Sequence, residues 1–287
     1  MEDQSFDIEI VKPKVWNFEV VGGNDAWKEV VYSARVSGVP PSVKDKKVFE
    51  MIVKNYYGST LEHIIIKFDI KISKGNAPEF LEHRIVSHTG QSTRYVKADR
   101  GVHAKTHQYE VILPLHLIKN KDDADVILDG MRKAIQAYDQ TISQGIPKEV
   151  ARYSLPFGQA VGIYHVTLNL RSFLNMLALR LCVRSSPEFR SVAAQMYFKL
   201  LEELPLMKGL VGCRGFMRGV CPEGGVTGVR TGKQHPFYPP CPFKNKASPL
   251  YIPTNQEAEK AEKSQAFDRE RAIRAQEAIF ERWAAWG

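Results

Sequence analysis

Apolar and polar side chains alternate most cleanly between His63 and Ile72, where Ile64, Ile66, Phe68, Ile70 and Ile72 each follow a mostly polar neighbour. A period of two puts these five on one face, which predicts a strand with that face on a core and the other in polar surroundings. Shorter apolar stretches predict an opening strand or two within residues 6–20, and a further strand at 108–113. Residues 26–36 and 43–57 read as two helices, divided by Gly38 and Pro40-Pro41. The turn Gly22-Gly23-Asn24-Asp25 precedes the first of them and offers Asn24 or Asp25 as its N-cap. Residues 78–87 read as a short helix running into a polar loop.

Further along, Ile127, Met131, Ile135, Tyr138 and Ile142 recur at helical spacing, so 122–143 is predicted as a long amphipathic helix. Its acidic start suits the helix dipole, and Gly145 stops it. Two more helices are predicted at 169–182 and 187–206, the second burying Phe189, Val192, Ala193, Met196 and Leu200. After Gly209 the character changes. Gly, Pro and Cys crowd residues 209–253, and prolines at that density block helix and central strand alike, so a loop or arm is predicted. Residues 255–285 read as a charged helix with a narrow apolar stripe at Ala272, Ile279, Trp283 and Trp286. Strands and helices do not alternate in regular βαβα order, so the fold class is α+β: an antiparallel or mixed sheet packed against helices. Residues 1–208 are expected to form one domain, with 209–287 as a C-terminal extension of arm and helix.

Composition changes this picture little. The 287 residues, 44% hydrophobic and 25% charged, suit a globular chain with a full core. No apolar run approaches the roughly 20 residues of a membrane span. Residues 1–10 lack the basic-then-apolar order of a signal peptide, so a cytoplasmic location without a membrane partner is expected. Cys213, Cys221 and Cys241, with His235, fall in one C-terminal stretch and invite a zinc reading. No close Cys pair of the usual structural-zinc kind appears, and with Cys182 they read as ordinary reduced thiols without a metal. The net charge of +8 suits a phosphorylated ligand, nucleic acid or simply a solvated basic surface.

Two stretches carry chemistry. From Glu82 to Tyr95 the chain holds one Glu, two His, two Arg, two Ser and a Tyr, with only two apolar side chains. Guanidinium forks and short hydroxyl donors so concentrated suit a phosphate or a nucleobase. In the second stretch, 166–180, Asn169 and Arg171 open a helix whose other residues are largely apolar except Asn175 and Arg180. Arg171 and Asn175 share a face, and Arg180 lies about half a turn round at ~100° per residue. Polar groups on two faces suit a helix set between ligands or between subunits.

These motifs resemble the flavin-dependent (ThyX-type) thymidylate synthases, whose signature runs Arg-His-Arg, seven residues, Ser, then Arg-Tyr. Here His83-Arg84 is followed after seven residues by Ser92 and then by Arg94-Tyr95. Ala34-Arg35-Val36-Ser37, Leu61-Glu62-His63, Arg152 ahead of Leu155-Pro156, Asn169-x-Arg171-Ser172, Asn175 and Leu179-Arg180 occur in the family's order, over about residues 20–200. The resemblance implies FAD held by His83, Arg84, Ile85, Asn169, Arg171 and Asn175, with His63 and Tyr95 near the flavin and the incoming folate. It implies a nucleotide held by Ser92, Arg94, Arg152 and Arg180, with Gln91, Thr93 and Thr167 beside it. Arg94 and Arg152 would face the phosphate and Arg180 the uracil. Arg180 and Ser92 are the expected catalytic residues. A fixed guanidinium stabilises negative charge on the uracil ring, and Ser92 serves as a hydrogen-bonding ligand rather than a nucleophile. The implied carbon donor is 5,10-methylenetetrahydrofolate, the reductant NADPH and the assembly a homotetramer with shared sites. A small-molecule nucleotide, not a nucleic acid, is the implied partner.

Four positions depart from the signature. Glu82 replaces its first Arg, Glu79 replaces a Gln, and Thr89-Gly90 replaces an Asn-Glu pair. Carboxylates repel a phosphate but accept a hydrogen bond from a ribose 2′-OH. The chain is therefore also similar to the ThyX-like uridylate C5-methylases of nucleoside-antibiotic pathways, which Thr167-Leu168-Asn169 fits. The expected reaction is C5-methylation of UMP or dUMP. The alternatives are ordinary dTMP supply, another reaction at C5 or on a cytidine nucleotide, and a nucleotide- or RNA-binding relative without catalysis.

Overall fold

The alternating strand foreseen at 63–72 is the second strand of a four-stranded antiparallel sheet. The computed structural model describes residues 6–99, 108–118, 121–159, 162–222, 241, 243, 251–254 and 269–286. In chain order the strands are β1 (Asp7–Ile10), β2 (Lys14–Val20), β3 (Ile65–Ile72), β4 (Val86–Gly90), β5 (Gln108–Val111) and β6 (Gly162–Asn169). The helices are α1 (Trp27–Val36), α2 (Asp45–Asn55), α3 (Gly58–Leu61), α4 (Ala77–Leu81), α5 (Leu115–Ile118), α6 (Lys121–Ser143), α7 (Lys148–Ala151), α8 (Leu170–Arg180), α9 (Pro187–Glu203), α10 (Arg214–Arg218) and α11 (Arg269–Ala284). The main sheet has the order β2-β3-β6-β4, and β1 pairs with β5 in a separate parallel ribbon.

Along β3 every second residue is buried, so Ile66, Phe68, Ile70 and Ile72 face the helices while Lys67, Asp69 and Lys71 face away. The covering layer is α8 and α9, whose starts are written into the chain. The Asn169 side chain accepts the Ser172 N–H at 2.9 Å, and the Ser186 hydroxyl accepts the Phe189 N–H at 3.2 Å ahead of Pro187. All five residues of the foreseen stripe on α9 are buried. Tyr197, Phe280 and Ala272 join the same core as α11 lies along α9, and Phe216, Phe243 and Ile252 of the segment after Gly209 join it too. A second, smaller core sets α6 over the β1–β5 ribbon through Tyr109, Val111, Met131, Ile135 and Tyr138. The ribbon is tied to the sheet by Lys71 and Glu110, 2.5 Å apart.

Several expectations are corrected. Neither Asn24 nor Asp25 caps α1. Both lie in a 3-10 turn, and the capping position falls on Ala26 with helical backbone and no side-chain bond. The helix expected at 43–57 is Asp45–Asn55, because Tyr56 turns left-handed at φ 56°. The polar loop after residue 81 contains β4, and β6 forms where no strand was expected. The arm contains the short helix α10. The part of the foreseen terminal helix at 255–268, and His235, lie outside the described residues.

Candidate active site

Arg180 ends α8, and its guanidinium is held on every side. Nε donates to His83 Nε2 at 2.8 Å, Nη1 bonds the Glu79 carboxylate, and Nη2 donates to the Glu79 carbonyl at 3.1 Å. The Phe189 ring lies 4.8 Å beneath it. The other Glu79 oxygen accepts from Ser186 Oγ at 2.7 Å. Glu79 stands on α4, and the turn before α4 is pinned by the buried Glu188, which accepts from Ser73 N at 2.6 Å, Ser73 Oγ at 2.8 Å and Asn76 Nδ2 at 2.6 Å. Burial raises the pKa of Glu188 and lowers that of Arg180, the latter opposed by the charges of Glu79 and Glu82. The result is a rigid, half-buried cation that cannot swing away.

His83 was assigned to the cofactor by resemblance, but the structure bonds it to Arg180. Its Nε2 accepts, so the imidazole is neutral with its proton on Nδ1. Burial and then the Arg180 charge depress its pKa to about 4 from 6.5. Between those values the unfolded chain binds more protons than the folded one, so stability rises with pH across the window and is lost as pH falls through it. The difference is worth about 2–3 kcal/mol at most. Urea unfolding at pH ~4.5 and ~7 should show that gap, and a His83→Gln variant should narrow it.

At the other end of α8, roughly 15 Å away along its axis, a second group gathers. Arg171 Nη1 bonds Glu62 Oε1 at 2.6 Å, and the Asn169 carbonyl oxygen is used by the cap. Leu170 N donates to Ile64 O at 2.8 Å, which brings exposed His63 beside this helix start. Register places Ile85, one step before Val86↔Leu168, alongside Asn169. Ile85 is 70% exposed at φ 58°. A β-branched residue in the left-handed region is strained, as functional sites often are. Arg84 is exposed next to it. Asn175 lies one turn on, in a small cavity of about 120 Å³ with Tyr56 and Arg214.

The third group follows β4. Gln91 N donates to Ile163 O at 2.9 Å, and the turn carries Ser92, Thr93, Arg94 and Tyr95. Arg94 pairs with Glu149 of α7 at 3.1 Å, and Lys148 donates to Tyr95 O at 3.4 Å. Arg152 begins the turn after α7. Lys74 has its pKa lowered, by burial first and by the Arg152 charge second. Thr167 faces Ser87 across the β4–β6 pair. Gly90 has a local explanation: a Cβ there would stand 2.5 Å from the Tyr164 ring, so any larger residue would require that ring to move. An extended β4 separates Ile85 from Gln91 by roughly 20 Å, and at its far end Gly90 pairs with Tyr164, whose ring lies 5.5 Å from that of Phe80.

The sequence reading missed Phe189, Ser186, Glu149 and Glu188. Phe189 was counted only as core, and Ser186 had a visible signal as the residue before a helix-opening proline. Glu149 and Glu188 sit in segments with no polar cluster to mark them.

The chain matches known proteins over the span that holds these residues. The family model described as Thy1, thymidylate synthase complementing protein, matches residues 20–206. A flavin-dependent thymidylate synthase of Thermococcus onnurineus is 34% identical over 171 residues, covering 58% of this chain and 68% of its own. That of Geobacter sulfurreducens is 31% identical over 194 residues, covering 65% and 78%. A UMP/dUMP methylase, PolB from Streptomyces cacaoi, solved with 5-Br UMP, shares the fold with a TM-score of 0.57 at 20% identity, over 69% of this chain and 94% of that one. With all three residue groups inside the matched span, the chain belongs to the thymidylate synthase complementing protein family, the flavin-dependent thymidylate synthases.

Proposed function

We propose that the enzyme methylates C5 of a uridine monophosphate, UMP or dUMP, with FAD bound, 5,10-methylenetetrahydrofolate as carbon donor and NADPH as reductant. The observation that carries this reading is the immobilised Arg180. A guanidinium fixed by Glu79, His83 and Phe189 is preorganised to meet negative charge on a uracil oxygen without reorganising during the reaction.

The donor set fits a flavin dinucleotide, whose bound form supplies the redox chemistry of the reaction. Arg171 and Arg84 offer cations to a pyrophosphate, the Asn169 amide nitrogen remains a donor while its oxygen caps α8, and exposed Ile85 offers an apolar face. His63 and Asn175 complete that side, and Tyr95 would enter from a second chain. The close approach of Gly58 to Arg171 provides a test. A Cβ at Gly58 would lie 2.6 Å from Arg171 Nε, so the Arg171 side chain would have to shift and strain its pair with Glu62. Gly58→Ala should weaken FAD binding about tenfold, roughly 1.4 kcal/mol, with thermal stability little changed, as read by flavin fluorescence titration.

Arg94 and Arg152 suit the phosphate, with Ser92, Gln91, Thr93 and Thr167 as shorter polar contacts. Polar groups at both ends of α8, Arg171 at its start and Arg180 at its end, support sites shared between copies in a homotetramer. So do Tyr95 (73%), Tyr153 (85%) and Phe157 (74%), large apolar side chains left exposed around α7. Glu79 is fully engaged with Arg180 and Ser186, so Glu82, exposed and within electrostatic reach of Arg180, is the carboxylate that would accept a ribose 2′-OH. The test is tritium release from 5-tritiated UMP and dUMP in a complete assay. Release that requires FAD and methylenetetrahydrofolate supports the reading. Tight nucleotide binding with no release would show a binding protein instead.

A further inference from the structure

The chain has four cysteines, and all four line one cavity of about 240 Å³. Sixteen of the 287 residues line it, so random placement does not account for four cysteines out of four. They arrive from four separate segments. Cys182 follows α8, Cys213 precedes α10, Cys221 follows α10, and Cys241 comes from the proline-rich arm. Each is anchored by its surroundings. Cys221 N donates to Pro253 O at 2.8 Å, and Ile252 N donates to Phe243 O at 2.9 Å, which closes the arm onto the core. The Cys213 sulfur accepts a hydrogen bond from the Phe216 N–H and lies within electrostatic reach of the other three thiols.

Two features decide what such a cavity takes. First, a tetrahedral zinc site would bring its sulfurs to about 3.8 Å from one another, given a Zn–S bond of about 2.3 Å. Among the described residues no three His, Cys, Asp or Glu side chains are grouped to hold a metal ion. Four thiols around an open space suit a polynuclear centre, which spaces its ligands by its own width. Second, a cluster with four thiolates is an anion, and burying it requires compensating charge and hydrogen bonds to sulfur. Arg184 and Arg214 line the same cavity, among apolar walls that include Val183, Phe243 and Ile252. Cys221 and Cys241 are each followed by proline, as is the last cysteine of the bacterial ferredoxin run.

We propose that Cys182, Cys213, Cys221 and Cys241 ligate an iron–sulfur cluster in this cavity. The four thiols give up their protons as the cluster binds, and the cluster stands directly behind Arg180, two residues from Cys182. The proposal does not depend on the nucleotide chemistry.

Full-length protein should be purified anaerobically, reconstituted with ferric iron, dithiothreitol as reductant and sulfide, and assayed for iron, zinc, acid-labile sulfide and flavin on the same sample. Iron and sulfide in equal amounts, about two or about four of each per chain according to cluster type, with a paramagnetic signal after dithionite reduction, is the expected result. Cys241→Ser and Cys221→Ser should each lose most of the iron while keeping the flavin and the circular dichroism of the parent. Zinc without sulfide, four titratable thiols without iron, or full iron content in both variants would overturn the proposal. Flavin content separates failure here from failure at the methylation site.

Discussion

Replacing Arg180 by alanine should lower turnover by at least about a hundredfold, roughly 3 kcal/mol of lost transition-state stabilisation, while FAD stays bound. The guanidinium is a strong donor group fixed at the end of α8, and its partners Glu79, His83 and Phe189 belong to the protein, not to the substrate. Removing it leaves Arg171, Asn169 and His63, the group proposed to hold the flavin, untouched at the other end of the helix. Steady-state kinetics and flavin absorbance, taken together, check this. A variant that turns over normally would remove Arg180 from the reaction. A variant that loses its flavin would place Arg180 on the cofactor instead.

The second large effect is expected at Glu79. Its carboxylate is the counter-charge of Arg180, and the side chains of the pair are only 25% and 16% exposed. Glu79→Ala leaves a half-buried cation uncompensated and strips an acceptor from Ser186, which together should cost about 3 kcal/mol of stability. Turnover should fall as well, through kcat more than KM, because Arg180 is no longer held in place. Glu79→Gln keeps an oxygen for Arg180 and a polar group for Ser186, so it should recover most of both. Chemical unfolding and kinetics on the two variants check the prediction. If the glutamine variant fared as badly as the alanine variant, the carboxylate charge, and not the positioning of Arg180, would be the requirement.

Much of this site was legible in the chain because its chemistry is dense where its structure is local. The stretch from Glu82 to Tyr95 is too polar for a core element, and Arg171, Asn175 and Arg180 interrupt an otherwise apolar helix. The alternation at Ile64–Ile72 marked the central strand for the same reason: one strand with one covered face writes its own period. What was hidden depends on pairing. β4 is exposed along most of its length, so it shows no alternation, and it exists because β6 offers it a partner. β6 itself, Gly-Ile-Tyr-His-Val-Thr-Leu-Asn, is buried unevenly between two neighbours and lacks a clean period. The role of Glu79 was hidden too, since its partner Arg180 lies a hundred residues away. The four cysteines are the strongest case. Their spacing carries no close pair, and only the folding of the arm onto the end of α8 gathers them around one cavity.

The central claim is tested most directly by product analysis. FAD-loaded enzyme is given equal amounts of UMP and dUMP with methylenetetrahydrofolate and NADPH, and the nucleotides are resolved by mass. The account predicts a uridine monophosphate heavier by one methylene group, with UMP consumed in preference to dUMP. Unmodified UMP and dUMP in the presence of fully bound flavin would contradict it.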